Sequence, residues 1–185
     1  VAAAALTMDK VNTLRLLQGE GVPTPLGVVW TAANASDDLD ALPFALPVVV
    51  KPVREGSSFG VTIVREAAQF GPAVAAALAL DDRILVEECI PGPELTVGIL
   101  AGEALPVVEI APVRGFFDFE AKYTKGASEY HVPARIDPAL AARCQAIALE
   151  AARLTGCLDS CRVDVMGGGE GGPRVGVWVG VRVRV

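Results

Sequence analysis

Val48-Val49-Val50-Lys51-Pro52-Val53-Arg54-Glu55-Gly56-Ser57-Ser58-Phe59-Gly60-Val61 is the stretch on which the reading of the fold turns. Val48 to Val50 is continuous, apolar and β-branched, which predicts a buried strand stopped by Pro52, with Lys51 delivered to its end. A second apolar strand, Val61-Thr62-Ile63-Val64, follows the loop. Gly56 and Gly60 let backbone approach a ligand closely, and Ser57 and Ser58 add hydroxyl donors beside exposed N–H groups. A cation, free amides and hydroxyls at one strand end form a cradle for phosphate. The same residues also suit an ordinary hairpin carrying a solvated lysine, and the stretch alone leaves both readings open.

The rest of the chain bounds the possibilities. Its 185 residues suffice for one good core or two small lobes. A hydrophobic content of 52% excludes disorder. No uncharged apolar run is long enough to span a bilayer, and the opening Val-Ala-Ala-Ala-Ala-Leu lacks the basic start of a signal peptide. A formal net charge of −6 argues against nucleic acid as a partner. Cys89, Cys144, Cys157 and Cys161 sit in apolar or helical contexts and read as small buried thiols. With His131 the only histidine, a zinc site is not expected, and His131 reads as a structural residue in a strand.

Residues 8–19 place Val11, Leu14 and Leu17 on one helical face, with Thr7 as the expected N-cap and Gly19 or Gly21 as the stop. A short strand is expected at 27–30, a small helix within 32–42, and an alanine-rich helix over 65–80. Residues 83–88 read as a strand, and 94–100 with 104–110 as a hairpin turning at Ala101-Gly102-Glu103. Asp137 caps a long helix ending near Gly156, and 161–166 is a further strand. Gly167, Gly169 and Gly172 satisfy G-x-G-x-x-G, but Pro173 and a strand-like run follow, so the dinucleotide fingerprint fails. Strands and helices mix without regular βα alternation, which predicts an α+β fold.

The polar landmarks, taken in order, carry more. Met8-Asp9-Lys10, Lys51-Pro52-x-Arg54-Glu55-Gly56-Ser57-Ser58-x-Gly60-Val61, Glu87-Glu88, Gly92-Pro93-Glu94-x-Thr96-Val97, Glu120-Ala121-Lys122-Tyr123 and Arg162-Val163-Asp164 together resemble the D-alanine–D-alanine ligases of the ATP-grasp superfamily. The resemblance covers roughly residues 5–166. It implies an ATP-grasp fold of two α+β lobes, 1–88 and 89–185, with ATP between their antiparallel sheets. It implies ligation of two D-alanines through an acyl phosphate for cell-wall peptidoglycan, in the cytoplasm, without membrane or nucleic acid, by an enzyme that often forms homodimers. Sibling ligases joining D-alanine to D-lactate or D-serine share these motifs.

The resemblance also assigns roles. Lys51 would hold the nucleotide phosphates beside Ser58, with Lys10 as a second candidate. Glu87 would face the adenine amine, Glu88 to Ile90 would offer backbone donors and acceptors, and Glu94 would take the ribose hydroxyls. Carboxylates only accept, so they suit an amine and a diol better than phosphate. From spacing alone, Glu87 and Glu94 read as exposed strand-end acids rather than ligand-binding ones. Ser57 and Tyr123, with Lys122, would close loops over the reacting phosphate, Arg162 would stabilise the tetrahedral intermediate, and Asp164 would ligate Mg²⁺ or Mn²⁺. Two departures are expected to matter: the family's N-terminal domain is not in this sequence, and its later metal-binding Glu and Asn align with Val177 and Val179 in a tail that departs from the family after about residue 166. Valine offers no ligand oxygen to a hard cation. The expectation is a chain without ligase turnover on its own, with non-catalytic ATP binding as the alternative.

Overall fold

The computed structural model describes residues 2–112, 128–167 and 173–175. They divide into two compact units, Pro25–Cys89 on one side and Val1–Thr24 with Ile90–Val185 on the other. The opening helices, expected in the first lobe, therefore belong to the second unit.

The Pro25–Cys89 unit is built on a sheet of β1 (Gly27–Thr31), β2 (Val48–Pro52), β3 (Thr62–Val64) and β4 (Arg83–Glu88), ordered β1-β4-β2-β3 and antiparallel throughout. Alternation sends Val48, Val50, Val64, Ile84 and Val86 to one face, where α3 (Phe70–Leu78) lays down Phe70, Val74 and Ala77. Trp30 meets Phe70 edge-on at 5.8 Å. The long helix expected over 65–80 is shorter: a 3-10 turn at Ala67–Gln69, held by a Glu66/Gln69 capping box, leads into α3. The helix expected within 32–42 reduces to a 3-10 turn at Leu39–Ala41, whose Asp38 cap bonds the Asp40 N–H. Asp and Ser there bond nearby backbone and compete with helix.

The other unit opens with α1 (Ala2–Met8) and α2 (Lys10–Gly19). Asp9, not Thr7, caps α2, its carboxylate accepting from the Asn12 N–H at 3.0 Å. Thr7 lies inside α1 and returns its hydroxyl to the Ala3 carbonyl. The sheet runs β10 (Arg174–Val175), β9 (Ser160–Met166), β5 (Glu94–Leu100), β7 (Val108–Pro112), β8 (Ser128–His131), with β6 (Glu103–Ala104) beside β5. The expected return strand 104–110 is thus split between β6 and β7, with the Leu105 N–H bonding the Gly98 carbonyl between them. Leu95, Val97, Ile99, Val163 and Val165 pack under α4 (Pro138–Thr155), together with Leu17 of α2. Asp137 caps α4 as expected, and Gly156 ends it at φ 74°. The cysteines are free thiols among the described residues; Cys144, Cys157 and Cys161 are buried as expected, but Cys89 is only partly so, and burial pushes Cys89 and Cys144 up and Cys161 up to about 11. No described helix is long and apolar enough to cross a membrane.

Candidate functional site

On the Pro25–Cys89 unit, the strand alternation that buries Val48 and Val50 under α3 turns Val49 and Lys51 to the opposite face. On β4 the same rule turns Leu85 and Glu87 that way, and the register sets Lys51 opposite Leu85 and Val49 opposite Glu87. Lys51 and Glu87 meet there as an ion pair through Nζ and Oε2, with side chains 2% and 4% exposed. The solvated lysine and the exposed acid allowed by the sequence are both excluded. Glu87 Oε1 is buried without a hydrogen-bond partner. Such an oxygen in a folded interior is expensive, about 1–3 kcal/mol, and marks a place where a donor is missing.

Gly27, directly across β1 from Glu87, makes this arrangement possible. A Cβ there would lie 3.0 Å from Glu87 Cγ and 3.3 Å from the Val86 carbonyl oxygen. The sequence gives no sign of this, because the constraint comes from strand register.

The loop after Lys51 turns at Ser57 and Ser58, both at positive φ, 54° and 59°, with the Phe59 N–H bonding the Gly56 carbonyl at 2.9 Å. That is the pattern of a mirror-image type I′ turn, which normally takes Gly or Asn. Ser58 is buried and Ser57 exposed. At the end of β4, backbone donors expected for a ligand are already used: the Glu88 N–H bonds Leu26 O at 3.0 Å and the Cys89 N–H bonds Pro47 O at 3.1 Å. The Glu88 carboxylate in turn accepts from the Leu26 N–H. Ile90, buried, begins the other unit.

On that other unit, Leu95, Val97, Val163 and Val165 face α4, so Glu94, Thr96, Arg162 and Asp164 share the opposite face of β5 and β9. Thr96 pairs with Asp164 and Glu94 with Met166, which makes Glu94 and Asp164 diagonal neighbours. Asp164 is buried, and Arg162, half exposed, approaches it through Nε at 2.9 Å and donates from Nη2 to Oδ2 at 3.1 Å. Asp164 Oδ1 is the oxygen that Nε approaches, so both carboxylate oxygens face the guanidinium. The expected metal ligand and the expected anion-stabilising guanidinium are thus paired with each other. Among the described residues, no three His, Cys, Asp or Glu side chains gather as a metal cluster. Lys10 is buried at the start of α2. Lys122, Tyr123, Val177 and Val179 lie outside the described residues.

The family model described as D-ala D-ala ligase C-terminus matches residues 29–175. A D-alanine–D-alanine ligase of Synechococcus sp. (strain JA-2-3B'a(2-13)) is 39% identical over 165 residues, covering 88% of this chain and 51% of that protein. The crystal structure of the VanG D-Ala:D-Ser ligase from Enterococcus faecalis is similar with a TM-score of 0.80 and 33% identity, over 96% of this chain and 54% of the other. A D-alanine–D-alanine ligase from Bacillus anthracis complexed with ATP has a TM-score of 0.76 and 27% identity, over 94% of this chain and 55% of that one. The chain spans about half the length of these relatives. Its antiparallel sheets with α+β packing are those of the ATP-grasp ligases, and with residues 29–175 matched, the chain belongs to the D-alanine–D-alanine ligase family.

Proposed function

We propose that this chain carries the ATP-binding and ligating residues of an enzyme that joins two D-alanines into D-alanyl-D-alanine, a peptidoglycan precursor, in the cytoplasm. The observation that carries the reading is the buried Lys51–Glu87 pair with Glu87 Oε1 left partnerless. An exocyclic amine is the donor that this oxygen lacks, and a phosphate is the anion that draws Lys51. The Ser57–Ser58 loop adds N–H groups and hydroxyls beside the phosphates, with Lys10 a second cation. Glu94 takes the ribose diol. The first D-alanine carboxylate accepts the γ-phosphoryl group as ADP leaves; the amine of the second attacks the acyl carbon, and phosphate leaves. Arg162 holds the negative charge on the tetrahedral oxygen. Tyr123 and Lys122 with Ser57 close the site against water, since an acyl phosphate hydrolyses readily.

Mg²⁺, when bound, neutralises the phosphate oxygens, and such an ion takes one or two carboxylates and completes its shell with water and phosphate. The buried Asp164 carboxylate, a hard oxygen ligand whose two oxygens now face Arg162, fits that demand as one ligand, whereas Val177 and Val179 supply no side-chain oxygen. Calorimetric titration with ATP and Mg²⁺ tests the reading: saturable binding, lost in Lys51→Ala, is expected, and a folded chain that binds no ATP overturns it. Adding D-alanine, with D-serine in parallel, and following ADP and dipeptide products separates the ligase from its siblings; the D-Ala:D-Ser relative at 33% identity favours running both. ATP binding without product, restored by Val177→Glu with Val179→Asn, assigns the shortfall to the metal ligands.

A further inference from the structure

Both ends of the loop that follows Lys51 rest on the short turn between α3 and β4. At the near end, the Val53 N–H bonds the Arg83 carbonyl at 3.1 Å, and the Arg54 N–H bonds Asp81 Oδ2 at 2.7 Å. The Arg54 guanidinium lies over the same carboxylate, Nε at 3.2 Å from Oδ1, with Nη2 reaching Asp81 and Asp82. Asp81 also accepts from the Arg83 N–H at 3.1 Å, which ties it to the strand that carries Glu87. At the far end, Gly60 at φ 72° sits so close to this turn that a Cβ would fall 2.4 Å from Leu80 Cδ1. Between the anchors stand Ser57 and Ser58 in left-handed conformations, which residues with a Cβ keep only when their surroundings impose them.

We propose that Asp81 is a positioning residue for the phosphate loop, holding residues 54–61 through Arg54 so that Ser57 and Ser58 keep their strained turn beside Lys51. The proposal rests on the ATP-binding reading for its consequence, but the positioning itself does not need a ligand. Burial pushes the Asp81 carboxyl up, but bonds from the Arg54 side chain and from the Arg83 and Arg54 amides outweigh it, so Asp81 stays charged well below the usual carboxylate range. Its side chain is 2% exposed, while that of Arg54 is 53% exposed. Arg54→Ala therefore removes the guanidinium without opening the core, and the backbone bond to Asp81 survives.

The test uses the whole chain as Arg54→Ala, Asp81→Asn and the double variant. Without ligand, hydrogen exchange at the Phe59 and Val61 amides, both bonded within the loop, is expected to quicken in each variant by more than at the β2 and β4 amides, which register any global loss of stability. Titrations with ATP, ADP and adenosine are expected to show the two phosphate ligands weakened roughly tenfold, adenosine unchanged, and the double variant no worse than the stronger single. Unchanged exchange at Phe59 and Val61 overturns the proposal. So does equal weakening of adenosine, or an additive double variant, which would make Arg54 a phosphate contact in its own right. A folded wild type that binds no nucleotide rejects the functional reading instead, and the exchange data still decide the loop.

Discussion

Replacing Lys51 by Met, Glu87 by Met, and both together tests whether the buried pair exists for stability or for a ligand. The side chains are 2% and 4% exposed, so either single substitution strands a charge away from water. Removing one partner of such a pair costs about 3–5 kcal/mol. Replacing both by apolar side chains of similar volume is typically neutral or stabilising by about 1–4 kcal/mol. Methionine suits position 87 because its unbranched stem follows the glutamate past Gly27, where the Cγ already approaches to 3.0 Å of a Cβ position. The partnerless Oε1 strengthens the argument, since the double variant also removes a buried acceptor that costs about 1–3 kcal/mol. The double variant is therefore expected to exceed either single by at least about 3 kcal/mol in denaturant unfolding, while binding no ATP. A single Lys51→Met within about 1 kcal/mol of wild type, or a double variant as unstable as the singles, would refute the reasoning.

Acid provides a second test. The unfolded chain protonates Asp81 near the ordinary value of about 3.9, whereas the folded chain holds it lower, so its stabilisation is whole above about pH 5 and drains as pH falls below about 4. Urea midpoints measured from pH 6 to about pH 3 should therefore fall less steeply for Asp81→Asn than for wild type; parallel curves would count against the assignment. Gly27→Val is expected to cost about 1–3 kcal/mol by overpacking against the Val86 carbonyl and to weaken ATP binding by pushing Glu87 aside. Denaturation and calorimetry on one preparation check both, and unaltered ATP affinity would show that Glu87 does not need the space.

Periodicity and punctuation made most of the elements legible. The lysine strand, β4, β5, β9 and α4 follow from β-branched runs, alternation, and the Asp137 and Gly156 caps. What failed was decided by tertiary contacts or by competing local bonds. Thr7 looks like a cap, but the chain before it is helical, and Asp9 takes the exposed amide instead. The resemblance implies one lobe over residues 1–88, whereas Leu17 and Val22 find their apolar partners under α4. At the site, the motifs pointed to Lys51, Glu87, Arg162 and Asp164 one by one, but not to the pairing of Lys51 with Glu87 or of Arg162 with Asp164. Pairing depends on register, which motif spacing does not encode. The bracing of the loop by Asp81 escaped for the same reason, since nothing in the spacing of Arg54 and Asp81 brings them together.

The unit formed by Val1–Thr24 with Ile90–Val185 is interrupted in sequence by the other, and that orders events during synthesis. Everything that fills the core beneath α3, from Trp30 to Val86, has been synthesised before the first residue of β5 is made. Leu17 and Val22 have no such luck: partners among Cys144 to Val165 are made only after the whole inserted unit. The inserted unit can therefore bury its apolar face early, because its contacts are local. The helices α1 and α2 emerge ahead of the inserted unit and are covered after it, and their apolar stripe is the surface a nascent chain must keep from aggregating.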